Sequence, residues 1–319
     1  MKNIRVTKTM KKPYWFLVFI IICSSCTTTG RVPVETTYTN HMDLKYGTDD
    51  RHTIDISIPK SINSKTNVIL YIHDGGLTMG DKSWLPKPFF EIYRDNFIVA
   101  SMNYRFVSKT VNVLDIVNDV AQAIGFIRNF SIENGIETNK IILMGLSAGG
   151  HLSLLYSYQY GQTSIIPVAF CVSLAGPTDF GDTALLYFYR NDIPLYINLF
   201  KLYTGYEQEI RREDLFPFGL NGVFLEKAME ISPIKYVNVN SPPTILVHDA
   251  NDTFCPFSNS AKLSAVLNVL NVPNVFIQSW SGIGHSFGIG NPRNAGNYEP
   301  YIRERLSLHM EEFIQKYCN

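Results

Sequence analysis

The sequence predicts an α/β domain: a mainly parallel central sheet with helices on both faces and an inserted, aromatic-rich cap. Three observations lead there. Short β-branched runs alternate with longer stretches whose apolar residues recur every three or four positions, the rhythm of strands joined by crossover helices. That rhythm breaks between about residues 176 and 235, where aromatic rings crowd a segment with no clear strand. One serine, Ser147, is pinched between small residues in "IILMGLSAGGHLSLL", where an apolar run meets a helical pattern. With 319 residues, 45% hydrophobic and 18% charged, the chain has the length and ordinary globular composition to bury such a core.

The first 25 residues carry Lys2, Arg5, Lys8, Lys11 and Lys12 and no acid, and they run through the apolar stretch Tyr14–Cys23. A basic start followed by so short an apolar core fits a signal peptide better than a bilayer span. Ser24 and Ser25 ahead of Cys26 resemble the processing site of a bacterial lipoprotein, with Cys26 as the lipid-bearing residue; Cys23 stands where an aliphatic is usual. Residues 1–25 are therefore expected to be a lipoprotein-type signal. The body would be lipid-anchored in a bacterial envelope, on the periplasmic side or at the outer membrane, with ordinary secretion as the alternative. Residues 26–39, rich in Thr with Gly30 and Pro33, read as a tether, and 40–319 as the folded body. Without the leader, the zero net charge becomes an acid excess of five, which argues against nucleic acid as a partner.

The body opens with leading strands around His41 and "HTIDISIP". Further strands are expected at 67–72, 97–104, 140–145, 168–175, 244–248 and 274–280. Val113, Ile116, Val120, Ile124 and Ile127 mark one helix face, and Ile302, Leu306, Met310, Phe313 and Tyr317 mark another. Within 176–235 lie Phe180, Tyr187, Phe188, Tyr189, Tyr196, Phe200, Tyr203, Tyr206, Phe216, Phe218 and Phe224. Most of these rings are expected to form the cap's own core, and a minority to line a pocket.

At Ser147 the pattern G-x-S-x-G falls at a strand-to-helix turn, a nucleophile elbow that pushes the hydroxyl clear of the backbone. A hydroxyl needs a base to take its proton and an acid to orient that base. Of seven histidines, His41 and His52 lie in the leading strands, His151 on the helix after Ser147, His248 inside a strand and His309 in the last helix. His73 and His285 remain, each just after a strand, where parallel sheets collect functional groups. His285 in "SGIGHSFG" has a glycine-rich loop to swing on, and Asp252 in "TILVHDANDTFCP" completes the chain order Ser…Asp…His. Asp249 competes for the acid role, but a carboxylate needs a few residues of loop to reach across from the strand end, which favours Asp252.

Other chemistries fit poorly. A calcium loop starting at Asp249 would need Gly where Phe254 stands and Glu where Ser260 stands. "GIGHSF" lacks the third glycine of a dinucleotide fingerprint. Cys171, Cys255 and Cys318 are widely spaced, form no C-x-x-C pair and give neither a zinc site nor a disulfide framework, so no metal is expected. The loop "YIHDGGLTMGDK" resembles the HGGG-type loop of esterases and lipases, in which the amides of Gly75 and Gly76 would join that of Ala148 as an oxyanion hole. His73 is then expected to brace that loop rather than carry protons.

Together "IHDGGLTMGDK", "MNYRF", "GLSAGGH", "SPIKYV" with "PPTILVHDANDTFCP", and "GIGH" resemble an α/β-hydrolase of the carboxylesterase type. More narrowly they resemble the bacterial esterases related to hormone-sensitive lipase and to feruloyl and acetyl-xylan esterases. The likeness runs over about residues 42–317. It implies the α/β-hydrolase fold and a serine hydrolase cleaving carboxylic esters through Ser147, His285 and Asp252, without a cofactor, on small-molecule or glycan esters. Two departures stand out. Asp74 replaces the usual first glycine of the oxyanion loop, and "SFGIGNPRNAGNYEP" after His285 is long and is expected to be a solvent-exposed linker to the last helix, with bordering the pocket as the alternative. The same apparatus also serves aryl formamidases and peptidases; Ala148 stands where peptidases of this fold place an aromatic. A non-catalytic binding module is the third class.

Overall fold

A computed structural model of the chain describes residues 37–61, 65–215 and 222–319. The expected signal peptide, the lipidation site Cys26 and the tether as far as residue 36 lie outside the described residues, as do Phe216 and Phe218 of the cap. No helix among the described residues is long and apolar enough to cross a membrane.

The strands are β1 (Tyr38–Lys45), β2 (Thr53–Pro59), β3 (Lys65–Ile72), β4 (Phe97–Met102), β5 (Glu137–Leu146), β6 (Val168–Leu174), β7 (Thr244–Asp249) and β8 (Asn274–Ser279). They form one sheet in the order β1-β2-β4-β3-β5-β6-β7-β8. The β1–β2 and β2–β4 pairs are antiparallel, and every pair from β4–β3 to β7–β8 is parallel. This is the mainly parallel sheet that the alternating pattern predicts, in the α/β-hydrolase fold that the resemblance implies. Most strand boundaries shift by one to three residues from those expected; β5, for example, runs over Glu137–Leu146 rather than 140–145. Tyr38 and Thr39, placed in the tether, already pair with Pro59 and Ile58 as the start of β1, and His52 stands one residue ahead of β2.

The helices are α1 (Lys87–Phe90), α2 (Val113–Glu133), α3 (Ala148–Tyr160), α4 (Thr183–Phe188), α5 (Ile193–Thr204), α6 (Arg212–Leu215), α7 (Gly222–Glu230), α8 (Ser258–Val269) and α9 (Pro300–Tyr317). Sheet periodicity sorts the core between two faces. On β3, Val68, Leu70 and Ile72 pack with Ile116 and Val120 of α2 and with Leu152 and Leu155 of α3. The alternate residues Ile69 and Tyr71 pack with Phe89 and Phe90 of α1 and with Ile302, Leu306 and Met310 of α9. Both faces are covered, which is why the central strands read as unbroken apolar runs. The predicted face of α2 is the one buried. Its start is fixed by a reciprocal cap: Asn112 Oδ1 accepts the amides of Leu114 and Asp115, and Asp115 Oδ2 accepts that of Asn112.

Helices α4 to α7 form the insertion between β6 and β7. Leu186, Ile193, Tyr196, Phe200, Ile210, Leu215 and Ala228 give it a core of its own. Of the nine rings described there, five (Phe180, Tyr189, Tyr196, Phe200 and Tyr203) line the cavity beneath, more than the expected minority, and Tyr196 and Phe200 belong to that core as well.

Candidate active site

The loops that leave the carboxyl ends of β3, β5, β7 and β8 meet on one edge of the sheet. At the end of β5, Ser147 has φ 53° and ψ −117°, a left-handed backbone that few side-chain-bearing residues adopt. The turn is held by two bonds: the Ser147 amide donates to the Leu174 carbonyl at 2.7 Å, and the Ser147 carbonyl accepts the His151 amide at 2.9 Å. The tight passage requires glycine at 149, since a Cβ there would sit 1.9 Å from the Ile72 carbonyl oxygen. The strain is therefore sustained by packing against β3, and it presents the serine side chain to the space above the sheet.

Asp252 and His285 come together across two loops. His285 Nδ1–H donates to Asp252 Oδ2 at 2.7 Å, while Asp252 Oδ1 accepts the amides of Phe254 and Cys255 at 2.7 and 2.9 Å. The alternative acid, Asp249, is turned elsewhere: its Oδ2 accepts the Ser279 hydroxyl and its Oδ1 the Asn251 amide. A second histidine supports Asp252. His248, fully buried on β7, places Nε2 3.2 Å from Asp252 Oδ2 and 3.1 Å from the Cys255 carbonyl, and its Nδ1 takes the Ser260 hydroxyl at 2.7 Å. Burial alone would raise the Asp252 pKa, but the hydrogen bonds from His248 and His285 hold it far below the usual carboxylate range. His248 reads in the sequence as a core residue of a strand. Its only signal is its position four residues before Asp252.

Ser147 and His285 line one cavity of about 710 Å³, together with Gly75, Gly76 and Ala148. Gly75 has φ 114°, and a Cβ on it would lie 2.1 Å from the Met79 carbonyl oxygen, so the loop after β3 closes on itself only with glycine there. Its carbonyl accepts the Thr78 and Met79 amides, and the Gly75 and Gly76 amides have no acceptor among the described residues. Ala148 is the first residue of α3, where an amide has no partner within the helix. The roof is apolar and comes largely from the cap, including Phe180, Tyr189, Tyr196, Phe200 and Tyr203. Two cap hydroxyls reach down to the floor: Tyr203 donates to the Gly76 carbonyl at 2.9 Å and Tyr189 to the Phe254 carbonyl at 3.3 Å. Phe254 also sets its ring 5.2 Å from that of His285.

The long loop after His285 is a correction to the expected solvent-exposed linker. Phe287 and Tyr298 are fully buried in the face beneath α9, the Glu299 amide donates to the Phe287 carbonyl at 2.8 Å, and Ser286 lines the cavity. Two aromatic anchors eleven residues apart carry no local periodicity, so the sequence hides them.

His73 and His151 flank the site as neutral braces. His73 Nδ1–H donates to the Asp74 carbonyl at 2.6 Å, and its ring stacks 4.3 Å from that of Tyr104. His151 Nδ1–H donates to the Pro177 carbonyl at 2.9 Å. Burial lowers both pKa values to about 4 from an ordinary 6.5. A depressed histidine adds stability above the unfolded-state pKa and loses it as the pH falls toward the folded one. Stability is therefore expected to decline between about pH 6.5 and 4. Urea unfolding of His151→Gln should show a slope in that window shallower than wild type by up to about 1.4 kcal/mol per pH unit. Identical slopes would show that His151 does not stay neutral in the folded state.

Among the described residues no group of His, Cys, Asp and Glu is arranged to hold a metal ion. Cys171, Cys255 and Cys318 are free and buried.

The BD-FAE family model matches residues 54–267 of this chain. Among curated proteins, a probable isoprenylcysteine alpha-carbonyl methylesterase of Arabidopsis thaliana is 34% identical over 111 residues, covering 34% of this chain and 26% of that protein. The chain thus spans about a quarter of the length of the relatives first matched. Esterase LipC of Mycobacterium tuberculosis is 21% identical over 266 residues, covering 79% of this chain and 61% of its own. Among solved structures, esterase B from Lactobacillus rhamnosis superposes with a TM-score of 0.67 at 17% identity, over 87% of this chain and 85% of that one. A truncated carbohydrate esterase from gut microbiota also gives 0.67 at 19% identity, over 90% and 99%. At these identities the superpositions speak for the fold.

Proposed function

This chain belongs to the BD-FAE family, and from that premise we propose that it is a serine esterase that hydrolyses carboxylic esters through Ser147, His285 and Asp252. The observation that carries the reading is one cavity lined by the strained serine and by an imidazole held 2.7 Å from a doubly supported carboxylate. In the proposed reaction His285 takes the Ser147 proton as the oxygen attacks the ester carbonyl. The negative charge that develops rests against the amides of Gly75, Gly76 and Ala148, the alcohol departs with a proton from His285, and water then cleaves the acyl-enzyme. Asp252, bonded to Nδ1, leaves Nε2 of the imidazole free to take the serine proton and stabilises the imidazolium that forms. No cofactor enters these steps.

The substrate side of the proposal is a small-molecule or glycan ester with a bulky apolar or aromatic portion. The apolar roof of cap rings supports the apolar portion, and the resemblance of the chain's motifs to those of feruloyl and acetyl-xylan esterases supports an acyl group on a glycan. For location we propose lipid anchoring at Cys26 in a bacterial envelope, supported by the basic, apolar and Ser-Ser-Cys succession of the first 26 residues.

A neutral fluorophosphonate is expected to label Ser147, and nitrophenyl acetate and butyrate are expected to turn over, with acetylated and feruloylated sugars as the panel that ranks natural substrates. Faster cleavage of aryl formamides than of esters would move the assignment to a formamidase. No labelling would leave a binding module.

A further inference from the structure

Resting on the esterase reading above, we propose that Asp74 selects substrates by charge. It receives a hydrogen-bond donor carried by the ester, a hydroxyl or a protonated amine, and turns away esters that bear a carboxylate in that place.

Asp74 lies on the wall of the cavity that holds Ser147 and His285, beside Gly75, and no Lys or Arg lines that cavity. Elsewhere in the molecule buried and half-buried carboxylates have protein partners. Arg105 and His52 meet Asp119, Lys82 meets Asp55, Lys262 meets Asp182, and two histidines meet Asp252. The Asp74 carboxylate has no ion pair and no hydrogen bond from any other residue among the described residues; only its own amide supports it. Its backbone is well held, since His73 grips its carbonyl and the loop closes tightly at Gly75. The backbone that carries the acid is thus fixed, and the carboxylate stands without an ion pair among the described residues, on the wall of the cavity a substrate would enter.

Leaving a half-buried carboxylate unpaired is unfavourable to the free protein, and groups of this kind persist where a ligand supplies the missing contact. Burial lifts the Asp74 pKa, opposed by its own amide and by the field of His285. A donor from the substrate removes part of that penalty, whereas a second carboxylate adds repulsion inside an apolar, weakly screening cavity.

The test is a matched series of phenyl acetates differing only at the position para to the ester: unsubstituted, hydroxymethyl, dimethylaminomethyl (protonated at neutral pH) and carboxylate. For each enzyme, kcat/KM is divided by the rate of uncatalysed hydrolysis of the same ester. Wild type is expected to prefer the ammonium over the carboxylate ester by at least about tenfold, with the hydroxymethyl ester between them. Asp74→Asn, and independently Asp74→Gly, which restores the residue usual in such loops, should shrink that ratio by at least about fivefold. A wild-type ratio near one overturns the proposal without recourse to any variant. So does an unchanged ratio in a folded variant. The two readings separate cleanly. If the fluorophosphonate fails to label wild type, the esterase reading itself falls; if labelling and turnover proceed with a ratio near one, only the role of Asp74 falls.

Discussion

Ser147→Ala is expected to lower kcat for nitrophenyl acetate by about 10⁴–10⁶-fold while leaving the fold intact. Alanine keeps the β5–α3 turn, because the bonds that hold it run through the backbone of residue 147 to Leu174 and His151. The circular dichroism spectrum and unfolding midpoint should therefore stay close to those of wild type. The remaining rate would come from amides that polarise the ester and from substrate orientation, with no acyl-enzyme formed. Single-turnover mixing discriminates sharply: wild type should release a burst of nitrophenol, and the variant none. Retention of the wild-type rate would mean that another nucleophile does the chemistry.

Asp252→Asn should be nearly as damaging, about 10⁴-fold in kcat. The carboxylate accepts four hydrogen bonds: the Phe254 and Cys255 amides at one oxygen, the His285 and His248 imidazoles at the other. An amide cannot satisfy all four, because one side now carries N–H groups. If the amide oxygen keeps the two backbone amides, the NH₂ faces His285 and forces its Nδ1 to become an acceptor. The proton then sits on Nε2, where it cannot act as a base toward Ser147. If the amide flips, two backbone amides lose their acceptor, which costs about 1–3 kcal/mol for each buried group left unpaired. Asp249→Asn is the paired control, since that residue serves Ser279 and Asn251 and has no contact with His285. Comparable losses of kcat in both variants, at equal stability, would refute the placement of Asp252.

Much of this architecture is legible in the amino-acid sequence. The parallel core is written in strand-length apolar runs because both faces of the sheet are covered, and the positions after β3, β5, β7 and β8 are marked by Gly, Ser, Asp and His at strand ends. Local chemistry also separates Asp252 from Asp249, since only the former has enough loop to cross to His285. What stays hidden depends on partners distant in the chain. His248 looks like any buried strand residue until the chain beyond it folds back to set Asp252 over its Nε2. Phe287 and Tyr298 look like parts of a polar loop until α9 supplies the surface they bury against. The rings of the insertion reveal their number but not their division of labour, because the inner and outer sides of so small a helical layer share residues such as Tyr196 and Phe200.

The hydroxyls of Tyr203 and Tyr189 bear on how such a protein can diversify. The roof arrives as one contiguous stretch of chain, so its shape is open to wholesale replacement without touching the machinery underneath. Yet these two phenols buttress the peptide groups at Gly76 and Phe254, one beside each half of that machinery. A lineage free to retool its specificity would thus be expected to vary the rest of the roof and to retain, or reinvent, two struts.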